Sequence, residues 1–193
     1  MMTDTHLAQN SWRSEVEPSF SEVEKYWLTR PGALTSGLRQ VGDFSIEVLN
    51  EYIAYVKEDE ASELNLKLND IVWVREIVMS INAQQAVYAR SLTSLEASKT
   101  IWKGIRALNT RPLADILYND PAISRSRFET TKLTPPLSLS QSLRHYLKLP
   151  QGAFLARRST FFQNDMGLMV NEVFLPGFWQ ALAKHAKTQQ INF

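Results

Sequence analysis

Apolar and polar positions along the chain fall into short runs of period two, separated by stretches of helical period. Ser21-x-x-Glu24 is a capping-box pattern that opens a helix through Tyr26, Trp27 and Leu28, and Pro31-Gly32 ends it. Ala33 to Val41 reads as a second short helix closed by Gly42-Asp43. Phe44 to Val56 alternates loosely, and Asn50-Glu51 marks a turn or bulge within it. Lys57 to Asn69 is charged, and its acidic run Glu58-Asp59-Glu60 is expected to be exposed. Ile71 to Ile81 is the strongest strand; Asn82-Ala83-Gln84-Gln85 turns it back into Ala86 to Leu92.

A helix is expected from Ser94, with Ile101, Trp102, Ile105 and Leu108 as its apolar stripe, and Pro112 opens another from Leu113 to Leu117. Ile123 to Leu133, carrying Arg125, Arg127 and Glu129, returns to strand before Pro135-Pro136. Ser138 to Lys148 is helical by the spacing of Leu139, Leu143 and Leu147. Ala153 to Phe162 and Leu168 to Leu175 form a strand pair around the turn Asn164 to Gly167, and Phe178 to Lys187 is a terminal helix. About five to seven strands joined mostly by hairpins imply an α+β fold. The expectation is a single antiparallel β-sheet with helices on one face.

Within this pattern, charges in strands are the exceptions. Trp73, Arg75, Ile77 and Met79 share one face of their strand, and Val72, Val74, Glu76 and Val78 the other. A buried arginine keeps its proton, so Arg75 needs an anion. Glu172 sits likewise among Leu168, Val170 and Phe174. Two readings stand: a structural Arg75–Glu172 ion pair, or a small pocket with these groups as its polar ends. Arg157 and Arg158 must face opposite ways, so one is expected in solvent and the other near the site. Arg90 and Arg127 carry the same ambiguity.

Composition narrows the chemistry. The 193 residues include 21 basic and 20 acidic ones, for a net charge of +1, and no basic run that would favour nucleic acid. There is no cysteine, and His6, His145 and His185 lie far apart, so thiolate catalysis and a histidine metal site are disfavoured. No phosphate-cradling glycine loop or G-x-S-x-G motif is present. Residues 1–10 are polar without a signal-peptide core, residues up to about Pro18 read as a loose arm, and no apolar run spans a membrane.

Five segments, in order, resemble the chorismate lyase (chorismate–pyruvate lyase) family. They are Trp73-Val74-Arg75-Glu76-Ile77, Tyr88-Ala89-Arg90, Arg111-Pro112-Leu113, Arg157-Arg158-Ser159 and Asn171-Glu172-Val173-Phe174-Leu175-Pro176. The resemblance covers residues 20–178 and implies one domain over residues 1–193, with helical flaps over a buried ligand pocket. It implies a cytoplasmic, cofactor-independent lyase that removes pyruvate from chorismate to give 4-hydroxybenzoate, the entry step to ubiquinone biosynthesis. The small-molecule substrate is its expected partner, with no nucleic acid, no membrane span, no metal, and a monomeric state.

Residue by residue, the resemblance implies that Arg75 holds the ring carboxylate and Glu172 the ring hydroxyl, as the catalytic pair. Backbone amides at Leu34 and Leu113 complete the substrate site; leucine replaces a familiar methionine at 34. Arg90, Arg157 and Arg158 are secondary candidates for the enolpyruvyl carboxylate. The chain departs from the family pattern at Pro135 to Pro150, which looks like an insertion, in the tail from Phe178, and in lacking a proline soon after Tyr88-Ala89-Arg90-Ser91. An enzyme of the family with a different hydroxybenzoate product is also compatible. So is a non-catalytic effector-sensing domain of the same fold, although residues 1–20 are expected to be too few for a DNA-binding domain.

Overall fold

The computed structural model describes residues 11–191. Helix α1 (Glu22–Thr29) leads to α2 (Leu34–Val41) and strand β1 (Phe44–Tyr55). A short helix α3 (Glu58–Ala61) precedes the hairpin β2 (Ile71–Ile81) and β3 (Gln84–Ser94). Then come α4 (Ala114–Leu117), β4 (Ser124–Arg125), β5 (Glu129–Leu133) and α5 (Ser138–Tyr146). The hairpin β6 (Phe154–Gln163) and β7 (Met166–Phe174) and the helix α6 (Pro176–Ile191) complete the described chain. The seven strands form one sheet in the order β1-β2-β3-β7-β6-β4, with β5 also on β6, and all pairs are antiparallel. No helix among the described residues is long and apolar enough to cross a membrane.

Local chemistry sets the boundaries. The Ser21 side chain accepts from the Glu24 amide while the Glu24 carboxylate accepts from the Ser21 amide, so the capping box that opens α1 is formed. Both hairpins turn on two residues with positive φ, Asn82 and Ala83 in one and Asn164 and Asp165 in the other. Such turns match the right-handed twist of the flanking strands. At the start of α6 a Cβ on Gly177 would lie 2.2 Å from the Gln85 carbonyl oxygen, so only glycine lets this helix seat on β3.

The sheet carries apolar clusters on both faces. On one, α1, α2 and α6 pack Trp27, Leu28, Leu38 and Phe178 over Ile77, Met79 and Ala89, while Trp102, Ile105, Leu108 and Leu117 cover Trp73 and Leu168. On the other, Leu139 and Leu143 of α5 cover Val78, Tyr88 and Val173, and Ala61 and Leu64 cover Val74 and Leu92. The α+β class and single antiparallel sheet hold, but helices cover both faces rather than one, because both sides of the central strands are apolar.

Several local expectations are corrected. The stretch after Ser94 forms 3-10 turns at Ala97–Lys99 and Lys103–Ala107 instead of one helix. Its Trp102 is held by donating Nε1–H to the Met166 carbonyl at 3.1 Å, so tertiary contacts replace helical ones. The strand from Ile123 divides into β4 and β5, where the Ser126 hydroxyl takes the Thr160 amide at 2.9 Å and interrupts the ladder. Glu60 of the acidic run is buried, not solvated. Trp12 is buried and Arg13 exchanges backbone hydrogen bonds with Thr130 at 3.0 and 2.8 Å, so the expected loose arm is docked at these two residues. The signal-peptide reading of residues 1–10 lies outside the described residues.

Candidate active site

A cleft opens on the sheet face covered by α1, α2 and α4, between the two apolar clusters there. Its floor is Ile77, Ala89, Ser91, Val170, Glu172, Arg157 and Ser159, and its rim includes Leu34, Leu113, Tyr118, Arg125 and Phe128. The empty space, counting the part open to solvent, is about 560 Å³. The lining is mostly apolar with a few polar groups, the composition of a small-molecule site.

Strand register decides which charges meet. Glu172 lies directly across from Arg157 in the β6–β7 ladder, and Arg157 Nε donates to Glu172 Oε2 at 2.6 Å. Arg75 stands across from Glu51 and Ser91, in the row of Val170, two residues along β7 from Glu172. Directly opposite side chains are the close ones in a sheet. The Arg75–Glu172 ion pair is therefore corrected: Arg75 Nη1 donates to Glu51 and Nη2 to the Asn109 carbonyl.

Glu51 reaches Arg75 because β1 carries an extra residue, Leu49, between Val48 and Asn50. A bulge of one residue shifts the following side chains to the other face. Without it, Glu51 would point away from Arg75. Arg75 thus shares the cleft's face of the sheet, across the ladder from the lining residue Ser91, but is not itself among the lining residues.

Arg157 is fully buried. Besides Glu172, its Nη1 donates to the carbonyls of Trp27 at 3.1 Å and Arg30 at 3.2 Å, and its guanidinium lies 4.3 Å from the Phe128 ring centre. It thereby satisfies carbonyls at the C-terminal end of α1. From there Pro31 and Gly32, with φ at +75°, lead into Leu34 on the cleft wall. Both α2 and α4 begin without a side-chain cap, so the first amides of each, next to the cleft, have no side-chain acceptor.

Of the residues singled out in the sequence, the cleft gathers Leu34, Leu113, Glu172 and Arg157, with Arg75 alongside. It does not gather Arg90 or Arg158. Their strand positions face the opposite side of the sheet, where Arg90 pairs with Glu60 and lies 3.4 Å from Glu76. Arg158 pairs with Glu129 at 2.7 Å and with Glu63 at 3.5 Å. The two arginines of the Arg157-Arg158 pair do face opposite ways, but both are buried and neither is in solvent.

On that far face the Tyr88 hydroxyl donates to Glu76 at 2.6 Å. Burial, and then Glu76, push its phenol well above the ordinary tyrosine value. Burial works against the Arg90 charge, yet Glu60 and the neighbouring phenols and Glu76 keep its proton held more tightly than usual.

The sequence did not single out Glu51, Tyr118, Arg125 or Phe128 as site residues. For Glu51 the available signal was the bulge already suspected beside it. For the others, which come from an irregular segment, periodicity offers no signal.

A family model described as chorismate lyase matches residues 7–184. The chain belongs to the chorismate lyase family. A probable chorismate pyruvate-lyase of Bordetella pertussis is 44% identical over 181 residues, covering 93% of this chain and 95% of that one. A probable chorismate pyruvate-lyase 1 of Burkholderia pseudomallei is 39% identical over 175 residues, covering 91% and 95%.

Among solved structures, this chorismate lyase family member has the fold of the C-terminal domain of a histidine utilization repressor from Pseudomonas syringae. The TM-score is 0.50 at 12% identity, over 69% of this chain and 92% of that one. A GntR-family transcriptional regulator from Bacillus cereus gives a TM-score of 0.50 at 10% identity, over 70% and 93%.

Proposed function

We propose that this chain is a lyase that converts chorismate to 4-hydroxybenzoate and pyruvate. The observation that carries the proposal is family membership over nearly the whole chain, joined to a cleft with the Glu172 side chain on its floor and Arg75 on the same face of the sheet, across from the lining residue Ser91.

The reaction breaks the ether bond between the ring and the enolpyruvyl oxygen, and the bonding electrons leave with that oxygen. The ring carbon bearing the hydroxyl loses its hydrogen as a proton, and the methylene carbon of the departing group gains one. The ring becomes aromatic and the enol becomes pyruvate. Aromatisation supplies the driving force, so the protein's task is to bind one conformer and stabilise the charge that leaves.

In this reading the ring carboxylate lies toward Arg75, whose forked guanidinium retains donors beyond those given to Glu51 and Asn109. The uncapped amides near Leu34 and Leu113 add neutral donors. Glu172, steadied by Arg157, accepts from the ring hydroxyl. The segments carrying Leu34 and Leu113 cover the cleft and must part for product to leave.

We propose further that the protein acts as a cytoplasmic monomer of one domain and that its product feeds ubiquinone synthesis. Incubation with chorismate, following both products, tests the central reading. The alternative is a domain that binds an aromatic acid without reacting, on a fold that transcriptional regulators share. It is distinguished by 4-hydroxybenzoate binding without chorismate turnover.

A further inference from the structure

We propose that Arg125 holds the enolpyruvyl carboxylate of the substrate, and so distinguishes chorismate from its ring product. The inference rests on the lyase reading above. Chorismate carries two carboxylates, one on the ring and one on the enolpyruvyl group, whereas 4-hydroxybenzoate keeps only the first. The ether carbon is next to the carbon that bears the hydroxyl. With the hydroxyl at Glu172, the second carboxylate therefore lies at the Glu172 end of the cleft, away from Arg75.

Two arginines line the cleft. Arg157 is committed: its Nε is on Glu172 and its Nη1 on two backbone carbonyls. Arg125 is not. Its one hydrogen bond goes from Nη1 to the Tyr118 hydroxyl at 2.9 Å, and among the described residues no carboxylate lies within 4.0 Å of it. A half-buried guanidinium with a single neutral acceptor has most of its fork available for a carboxylate.

Arg125 is also positioned. Its backbone pairs with Phe161 in the β4–β6 ladder, and its guanidinium lies 4.3 Å from the Phe128 ring centre and 5.8 Å from that of Phe161. Phe128 thus has Arg125 and Arg157 each at 4.3 Å. Tyr118 stacks edge-on against Phe161 with ring centres 5.8 Å apart, which fixes the hydroxyl that Arg125 holds. Burial raises the Tyr118 phenol, Arg125 lowers it and Glu172 raises it again, so these groups share one electrostatic neighbourhood. A dianion entering beside Glu172 needs cationic compensation there, and Arg125 is the uncommitted source.

The test compares a ligand that has the second carboxylate with one that lacks it. Arg125→Met keeps the apolar stem and removes the charge. We expect kcat/KM for chorismate to fall about 10- to 100-fold, as for a lost charged hydrogen bond. The Kd for 4-hydroxybenzoate, measured by calorimetry, should stay at the wild-type value. Arg125→Lys should recover part of the loss and makes the same comparison if Arg125→Met does not fold. Unchanged turnover in the variants, or an equal loss of affinity for 4-hydroxybenzoate, would overturn the role of Arg125. Wild-type protein that leaves chorismate intact would instead overturn the lyase reading on which it rests.

Discussion

Arg157 donates its Nε–H to Glu172 at 2.6 Å on the floor of the cleft, and this contact, rather than one with Arg75, fixes the carboxylate there. The pair also joins the cleft to α1, through the two carbonyls that Arg157 Nη1 holds. Removing one partner of a buried pair costs more than the pair contributes, because the survivor keeps its charge without compensation. We expect Arg157→Met to lower unfolding stability by about 3–5 kcal/mol. Glu172→Gln, which still offers Arg157 an acceptor, should cost less while sharply reducing turnover. Urea unfolding midpoints of both variants, set beside their rates, check the contrast.

Arg75 should behave differently. Its partner Glu51 is one-third exposed and can be solvated when the guanidinium is gone. Arg75→Ala is expected to weaken 4-hydroxybenzoate binding about 10- to 100-fold, the loss of a charge-assisted contact. Binding of a neutral analogue, 4-hydroxybenzyl alcohol, should change little. Calorimetry with the two ligands decides; equal losses for both would remove the carboxylate contact from Arg75.

On the far face, Tyr88→Phe deprives buried Glu76 of its hydroxyl donor without touching the cleft. We expect a loss of about 1–3 kcal/mol in stability with kcat/KM for chorismate retained. A fall in turnover at wild-type stability would show that the Arg90 and Glu76 network serves the site rather than the fold.

The same phenol gives a pH dependence. Burial first, then Glu76, raise Tyr88 above the ordinary value of 10.0. In the unfolded chain it ionises near that ordinary value, so above it the unfolded state binds fewer protons than the folded one. Stability is fully present below about pH 10 and falls as pH rises beyond it. Denaturant midpoints measured across the alkaline range should fall less steeply in Tyr88→Phe than in the wild type.

The strands, their hairpins and the presence of a charge on each key strand were legible because period-two alternation and turn residues are local signals. The partners of those charges were not. Whether Arg75 meets Glu172 or Glu51 depends on the order of strands and on the Leu49 bulge, and neither has a local signature. The fate of Glu60 was misread for a related reason. An acidic run has the composition of surface, and the arrival of Arg90 beneath it, with the Ser138 hydroxyl, makes burial tolerable. Arg125 lies in a segment whose pattern is broken by Ser126, so its place on the cleft wall emerges only in three dimensions.

The most direct measurement is a time course of the folded protein with chorismate, quantifying pyruvate and 4-hydroxybenzoate together, with Glu172→Ala alongside. We expect the wild type to form the two products in equal amounts and Glu172→Ala to lose most of that turnover. Folded wild-type protein that binds 4-hydroxybenzoate yet leaves chorismate unchanged would contradict the lyase assignment.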